Sequence, residues 1–445
     1  MKNVENSISR EFHFFSLIKF ATPTVIMMIV TALYTIIDSI FVSRYVGTNG
    51  LSAINIIYPV INVLMAIAIM FSTGGSAVIA RKLGSGDEKE ARRNLSLIYV
   101  TGFLLSVVSA VACMFFIKPL IYGLGATEVL FDLCKQYLTI MLFFAPALVI
   151  QIFGQSFIVV AGNPNFGLTL SIISGVVNMI LDYIFIVPLN MGIAGAAIAT
   201  GIGFSIGAIG GVIYLFKNKS NLYFEKPVVD LKMLGESCFN GSSEMVTNIA
   251  VAVVTFLYNI ILMEYLGEDG VAAITIMLYA QFLLNALFMG FSMGVAPVIS
   301  YNHGAENHVQ LKRIFQICVG FISVSSILVF VTAICISPYM MEIFTPVGSN
   351  VYDIAISGFP LFSLSFLFVG INIFASSLFT ALSNGKVSAI ISFLRTFVFI
   401  IAGLTILPPL FHVPGIWLSV PAAELLAMVM SIGFILAYGR RYKYI

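Results

Sequence analysis

Two acidic residues within long apolar stretches are the side chains of this chain that could do chemistry. Asp38 and Asp182 each lie in an almost uncharged run, and each follows a polar residue by four positions, Tyr34 and Asn178 respectively. Residues four apart share one face of a helix. Two carboxyl groups that meet away from water cannot comfortably both be ionised, so they can share a proton or bind a small cation.

Depth along the helices also favours a meeting of these residues. Asp38 lies six residues before Arg44 and Asp182 six before Pro188, which places both about 9 Å below the outer end of their helices. Thr200 reaches about 12 Å below the same end on the next helix. The alternative is a pair of neutral or capped acids that satisfy each other in a core without binding an ion.

A second set of candidates lies in the carboxyl-terminal half of the chain. Glu244 and Arg395 both fall about 12–14 Å inside the opposite end of their helices, so a salt bridge between them is expected. Counting residues places Glu424 too far from Arg395 to pair with it, and leaves Glu424 and Gln281 as residues of a cavity wall. A structural ion pair is at least as good an interpretation of this set as a substrate role.

Composition decides the kind of protein that must position these residues. Of the 445 residues 60% are hydrophobic and only 9% are charged, whereas soluble domains are typically about 25% charged. The net charge of +2 and the absence of a basic cluster argue against a nucleic-acid partner. No nucleophile–base pair or metal-ligand spacing is present in the sequence, so neither an enzyme nor a bound metal or cofactor is predicted.

The uncharged stretches predict an all-α integral membrane protein with twelve spans. A membrane helix needs about 20 apolar residues, and polar breaks such as Gly162–Asn165 divide the longest stretches. The predicted spans are residues 17–43, 52–79, 94–117, 133–160, 168–188, 192–216, 236–262, 271–299, 313–337, 354–380, 387–408 and 414–438. The first of these is interpreted as a retained helix and not as a signal peptide.

Basic residues orient these spans. Eighteen of the 22 Lys and Arg residues fall at the termini or in the loops on the same side as the termini, among them Lys2 and Lys219. The positive-inside rule therefore predicts that both termini lie in the cytoplasm. A cytoplasmic linker of residues 217–235 divides the twelve spans into two sets of six. These sets form an amino-terminal lobe of residues 1–216 and a carboxyl-terminal lobe of residues 236–445.

An internal repeat supports this division. Shifting the chain by 220 residues aligns residues 47–93 with residues 267–313 without a gap, and more than a quarter of the 47 positions are identical. Gly47 matches Gly267, and Gly84 matches Gly304. Two bundles of six helices with the same orientation are related by a pseudo-two-fold axis along the membrane normal, an architecture typical of secondary transporters.

Several segments together resemble the multidrug and toxic compound extrusion (MATE) family, in its bacterial MepA-like branch. They are residues 34–43 (YTIIDSIFVS), 80–87 (ARKLGSGD), 178–185 (NMILDYIF), 192–200 (GIAGAAIAT) and 415–421 (GIWLSVP). The resemblance runs over the whole chain. No single one of these segments would carry it.

The resemblance implies a drug/cation antiporter with two lobes around a V-shaped cavity. It places the coupling ion at Asp38, Asn178, Asp182 and Thr200, with Tyr34 nearby. It also implies that the first helix bends at Pro23 during transport. The sodium-coupled branch carries an acid in the tenth helix, which residues 354–380 lack, so proton coupling is favoured while sodium at Asp38 and Asp182 stays open.

The leading hypothesis is therefore a monomeric exporter of amphipathic organic cations in a bacterial plasma membrane, driven by protons or by Na⁺. A lipid-linked oligosaccharide flippase is the main alternative, although it would need several basic residues in its cavity and only Arg395 is clearly intramembrane. A membrane receptor or scaffold is the third class, and the short loops leave no room for an effector domain.

Overall fold

A computed structural model describes residues 8–218 and 222–445, without the side chains of Ser43 and Thr48. Lys2 and Lys219 thus lie outside the described residues. The α-helices of the described part are α1 (Phe14–Phe41), α2 (Thr48–Gly84), α3 (Glu88–Phe115), α4 (Ile117–Gly123), α5 (Glu128–Phe143), α6 (Ala145–Val160), α7 (Pro164–Ile186), α8 (Gly192–Lys217), α9 (Leu231–Gly304), α10 (His308–Phe344), α11 (Asn350–Ser363), α12 (Phe366–Ala381), α13 (Gly385–Phe393), α14 (Ile400–Phe411) and α15 (Val413–Tyr442). Two π-helical turns, Val42–Val46 and Leu394–Phe399, follow α1 and α13. No strand occurs in these residues.

These elements form the twelve predicted membrane spans. Nine described helices, counting α13 and α14 as one, are long and apolar enough to cross a bilayer, and the bent pairs α5–α6 and α11–α12 each add a span. The 74-residue α9 counts twice, because Gly267 breaks it with φ 66° and ψ −156°. The first part of α9, residues 231–266, and the second part, residues 268–304, are separate spans.

Two of the predicted spans are bent rather than straight. The axes of α5 and α6 differ by 52°, and those of α11 and α12 by 54°. Pro146 stands in the first turn of α6, where its missing N–H is tolerated. Pro360 lies inside α11, three residues before that helix ends. Hydropathy alone cannot reveal these bends, because an apolar run reads the same whether straight or bent.

The repeat seen in the sequence recurs in the backbone. The matched glycines Gly47 and Gly267 both adopt positive φ, at 92° and 66°, and each separates one span from the next. Asn163 and Asn384 cap α7 and α13 in the same way, by accepting a hydrogen bond from the backbone N–H three residues on. These equivalent turns support two bundles of the same construction.

The two bundles pack closely at one end of the membrane, which we call the basic end because it holds Arg81, Arg313 and Arg441. Gly84 of α2 and Gly304 of α9 lie against each other's helix so tightly that a methyl group on either would overlap backbone. Gly74 and Gly241 make a second contact of this kind between α2 and the first part of α9.

A salt bridge adds to the contact at the basic end. Arg81 Nη2 lies 2.7 Å from Glu236 Oε1, and so joins α2 to the first part of α9. Gln310 Nε2 also donates a hydrogen bond to the backbone oxygen of Phe12, at 2.9 Å. The structure is therefore closed between the bundles at the basic end.

Candidate ion-binding site

Close packing of α1 on α7 creates the candidate site. Gly175 has no side chain, so the Tyr34 ring can lie directly on α7; a Cβ at Gly175 would sit 3.2 Å from Tyr34 Cδ1. Asn178 and Asp182 follow Gly175 at three and seven residues, which keeps them on the face that α1 covers. Both are buried, with exposures of 4% for Asn178 and 0% for Asp182.

The predicted meeting of Asp38 and Asp182 occurs in the structure. Their carboxyl groups lie within hydrogen-bonding reach of each other, and Asp182 is also within reach of the Asn178 amide. Oδ1 of Asp38 and both carboxyl oxygens of Asp182 are buried and receive no hydrogen bond from a described residue while both groups are ionised. The acids are thus brought together without a basic partner.

A proton or a small cation is the kind of partner that would relieve this geometry. An ionised carboxylate can only accept hydrogen bonds, so two of them side by side repel each other, and burial strengthens the repulsion. A proton on one group turns the contact into an O–H···O⁻ hydrogen bond, which is among the strong ones. A small cation between the oxygens would relieve the same repulsion.

Thr200 lies on the neighbouring part of α8. Gly203 of that helix packs on α7, where an added Cβ would be 3.2 Å from Asn178 Cβ. Because α7 and α8 run in opposite directions, Thr200 is displaced from Gly203 toward the end of α7 that carries Asp182. Thr200 is half-buried there. Its role as an ion ligand stays a prediction.

Tyr137 is a further residue of this site that the sequence reasoning missed. It lies on α5, is 6% exposed, and is within electrostatic range of both Asp38 and Asp182. Depth could have identified it, since Tyr137 falls four residues into its predicted span and hence near the level of Asp38. Spacing could not, because no polar residue shares its helix face at a regular interval.

Pro23 lies far along α1 from the acids. The helix runs through it without interruption, although proline removes one backbone hydrogen bond and makes bending easier at that point. The neighbouring Thr24 and Val25 pack against Gly290 of α9, whose missing side chain admits their backbone. Bending of α1 at Pro23 stays a prediction.

The carboxyl-terminal half holds a different arrangement of buried charge. Arg395 Nε lies 2.8 Å from Glu424 Oε1 and 3.0 Å from Oε2. Asn372 Nδ2 donates to Glu424 Oε2 at 2.7 Å, and Ser431 Oγ donates to Asn372 Oδ1 at 2.9 Å. We call Asn372, Arg395, Glu424 and Ser431 the paired cluster. Its acid has both a cationic and a neutral donor.

Two sequence-based expectations about these charges are wrong. Arg395 pairs with Glu424, which residue counting had placed too far away, and Glu244 is only within electrostatic range of Arg395. Seen from the turn at His412, Arg395 and Glu424 differ by about five residues, or roughly 7 Å of rise. An arginine side chain spans much of such a gap, and Arg395 stands in a π-helical turn that shifts its direction.

The two remaining cavity candidates, Glu244 and Gln281, make fewer polar contacts than the paired cluster. Glu244 is half-buried on the first part of α9, and no salt bridge within the described chain includes it. Gln281 is half-buried on the second part of α9, and within residues 8–218 and 222–445 its side chain forms no hydrogen bond. Their roles in a substrate cavity stay predictions. Asn372 and Ser431 were not predicted, because neutral polar residues do not stand out in an apolar run.

Comparison with known proteins agrees with this architecture. The MatE family model matches residues 23–184 and again residues 245–405, so each half of the chain carries one copy of the family's repeat. Among curated proteins, the multidrug export protein MepA of Staphylococcus aureus (strain bovine RF122 / ET3-1) is 25% identical over 422 residues, which cover 94% of this chain and 92% of MepA.

Solved structures share the fold over the full length. The crystal structure of a MATE protein in complex with MaL6 superposes with a TM-score of 0.94 at 21% identity, and covers 100% of both chains. The outward-facing conformation of a multidrug resistance MATE family transporter gives a TM-score of 0.93 at 20% identity, again over 100% of both chains. The chain therefore belongs to the MatE family and is a multi-pass membrane transporter, not an enzyme.

Proposed function

We propose that this transporter exports amphipathic organic cations in exchange for protons that bind between Asp38 and Asp182. The observation that carries the proposal is the pair of facing carboxyl groups that have no basic partner and whose buried oxygens receive no hydrogen bond from a described residue. A buried charge in a membrane is costly, so an unpartnered acid pair is retained for a function. The printed name of the relative MepA, a multidrug export protein, supports the same class of substrate.

The proposed cycle needs two lobes that rock against each other. We assign residues 1–216 to the first lobe, 217–235 to a linker and 236–445 to the second lobe. Most Lys and Arg residues lie toward the basic end, so we infer that this end faces the cytoplasm. With the basic end closed, a site between the lobes opens to the outside, as an exporter requires when it releases its substrate.

Ion binding drives such a cycle only if the two states bind the ion differently. The acid pair meets this condition because Asp38 is on α1 and Asp182 on α7. A shift of α1 would separate the carboxyl groups and change the affinity for a proton. Tyr34 and Pro23, both on α1, would move with Asp38. Sodium ions could use the same oxygens, with Asn178 and Thr200 as further ligands.

The flippase alternative is weakened by the paired cluster. A lipid-linked pyrophosphate would need free basic groups in the membrane, and Arg395 is held by both oxygens of Glu424. A cavity whose intramembrane acids outnumber its free cations suits a cationic substrate better. No observation of the described residues favours the receptor or scaffold class.

Proteoliposomes with separately imposed gradients test the proposal. Purified protein is reconstituted into liposomes. Transport of ethidium across their membrane is followed while either a proton gradient or a sodium gradient is applied. The proposal predicts ethidium transport under the proton gradient alone. Transport under the sodium gradient alone would mean that Na⁺, and not a proton, is the ion that binds at the same site. Movement of a lipid-linked oligosaccharide but not of ethidium would overturn the proposed function.

A further inference from the structure

A groove on the outer surface of the first lobe lies apart from the acid pair. It has a volume of about 930 Å³ and runs between α3 and α8 over the surface of α6. Ala147 and Ile150 form its floor, and Phe143 lies beside them near the bend between α5 and α6. Residues 224–227, which precede α9, close the groove at the basic end. Its volume lies in the range of about 300–1,000 Å³ that ligand sites have.

The groove has the length of one membrane leaflet. On α3 its wall extends from Ser96 to Leu104, about 12 Å of helix rise, and on α8 from Ser205 to Phe216, about 16 Å. Half of a hydrocarbon core about 30 Å thick is about 15 Å. The groove thus reaches from the middle of the membrane to its surface at the basic end.

The walls are apolar and face outward. Phe103 is 47% exposed, Phe143 74% and Phe216 69%. Because these residues belong to membrane-spanning helices, the medium that touches them is hydrocarbon and not water. An acyl chain from the surrounding leaflet can enter such a groove without leaving the membrane, which makes lipid the natural occupant of the apolar part.

The rim at the basic end is positively charged. Glu225 is engaged there, since its backbone N–H donates to Ser96 Oγ at 3.0 Å and its carboxylate lies 3.7 Å from Arg93. Lys226, at the rim itself, and Lys217, next to the groove residue Phe216, are exposed and belong to no ion pair of the described chain. Two free ammonium groups at a membrane surface attract anionic headgroups.

We propose that this groove binds one anionic glycerophospholipid of the leaflet at the basic end. Its acyl chain lies between Phe103 and Phe216, and its phosphate lies at Lys226 and Lys217. An amphipathic cation fits the apolar walls as well, but the two lysines at the rim repel it. The charge at the rim therefore separates a lipid site from a second drug site.

Native mass spectrometry of the purified full-length protein tests this proposal. The protein is titrated in detergent with an equimolar mixture of phosphatidylglycerol and phosphatidylcholine. We expect one tightly retained phosphatidylglycerol per chain. Lys226→Ala should weaken its binding about fivefold, the effect of one lysine near a charged membrane surface. Ala147→Phe should abolish retention, because the larger side chain fills the floor of the groove.

Matched variants in the second lobe serve as controls. Lys312→Ala removes an exposed charge near the start of α10, and Val324→Phe enlarges an exposed apolar residue in the middle of that helix. Neither should change lipid retention. Unchanged retention in Lys226→Ala, equal retention of the two lipids, or displacement of the bound lipid by ethidium would each overturn the proposal. Because Lys226→Ala removes only a surface charge, the test stands even if Ala147→Phe fails to fold.

Discussion

The two halves of this transporter bury acidic residues in opposite ways. In the first half Asp38 and Asp182 face each other without a basic partner, and their buried oxygens receive no hydrogen bond from a described residue. In the second half Glu424 is buried like Asp182, at 3% exposure, but Arg395 and Asn372 satisfy both of its oxygens. The same repeated architecture thus carries one incomplete and one complete set of partners.

This difference indicates which of the buried acids can bind and release an ion. A carboxylate held by arginine and amide donors already has its partners, and its loss leaves a buried charge without one. Two facing carboxylates without a basic partner change their interaction with every proton gained or lost. We infer that the paired cluster stabilises the second lobe, whereas the acid pair of the first lobe couples transport to an ion.

The largest expected effect is on transport by Asp38→Asn. An amide at this position cannot take up or release a proton, so ethidium efflux driven by an imposed pH gradient should fall to the level of empty vesicles. Asp353→Asn, in the first turn of α11, removes an acid outside both regions and should leave efflux unchanged. Normal efflux in a folded Asp38→Asn protein would contradict the coupling role.

The next effect is on stability, in the second half. Glu424→Gln leaves Arg395 without its counter-ion, and breaking a buried ion pair in this way costs about 3–5 kcal/mol. The denaturation temperature in detergent should therefore drop markedly. Replacing both partners, as Arg395→Met with Glu424→Leu, should restore most of the stability. A double variant as unstable as Glu424→Gln would show that Arg395 and Glu424 stabilise the lobe by more than neutralising each other's charge.

The opposite sign is expected for the first half. At a pH high enough to ionise both acids, Asp182→Asn replaces one of two facing carboxylates by an amide that can donate to Asp38. Satisfying a buried polar group in this way is worth about 1–3 kcal/mol, so the denaturation temperature should rise. A clear fall would indicate that Asp182 has a stabilising partner, and would remove the contrast between the halves.

The smallest effect is expected at Tyr137. Its hydroxyl group lies within electrostatic range of both acids, and loss of one hydrogen-bonding group costs about 1 kcal/mol, or about fivefold in rate. Tyr137→Phe should slow proton-driven efflux by about that factor without abolishing it. Tyr122→Phe, on α4, is the matched control and should transport normally. An unchanged rate in Tyr137→Phe would exclude the hydroxyl group from the site.

Much of this arrangement follows from the sequence, because charges are rare in it. The gaps between charges predicted the twelve spans. The four-residue spacings, together with the equal depth of Asp38 and Asp182, predicted that these two acids meet. The bends after Phe143 and Ser363 were not predictable from hydropathy, because hydropathy is the same for a straight helix and a bent one.

Pairing in the second half was also beyond the sequence. Residue counting measures the rise of the backbone, whereas the reach of the Arg395 side chain and the π-helical turn around it decide its partner. Neutral groups such as Asn372 and Tyr137 carry no charge to mark them. The groove between α3 and α8 depends on how helices lie side by side, and no local pattern encodes that.

Proton release on substrate binding tests the central claim most directly. Tetraphenylphosphonium is added to purified protein in weakly buffered detergent, and a pH-sensitive dye reports released protons. We expect release from the unmodified protein and from the Arg395→Met, Glu424→Leu double variant, and none from Asp38→Asn or Asp182→Asn. Equal release from Asp38→Asn and the unmodified protein would contradict the assignment of the exchanged proton to the acid pair.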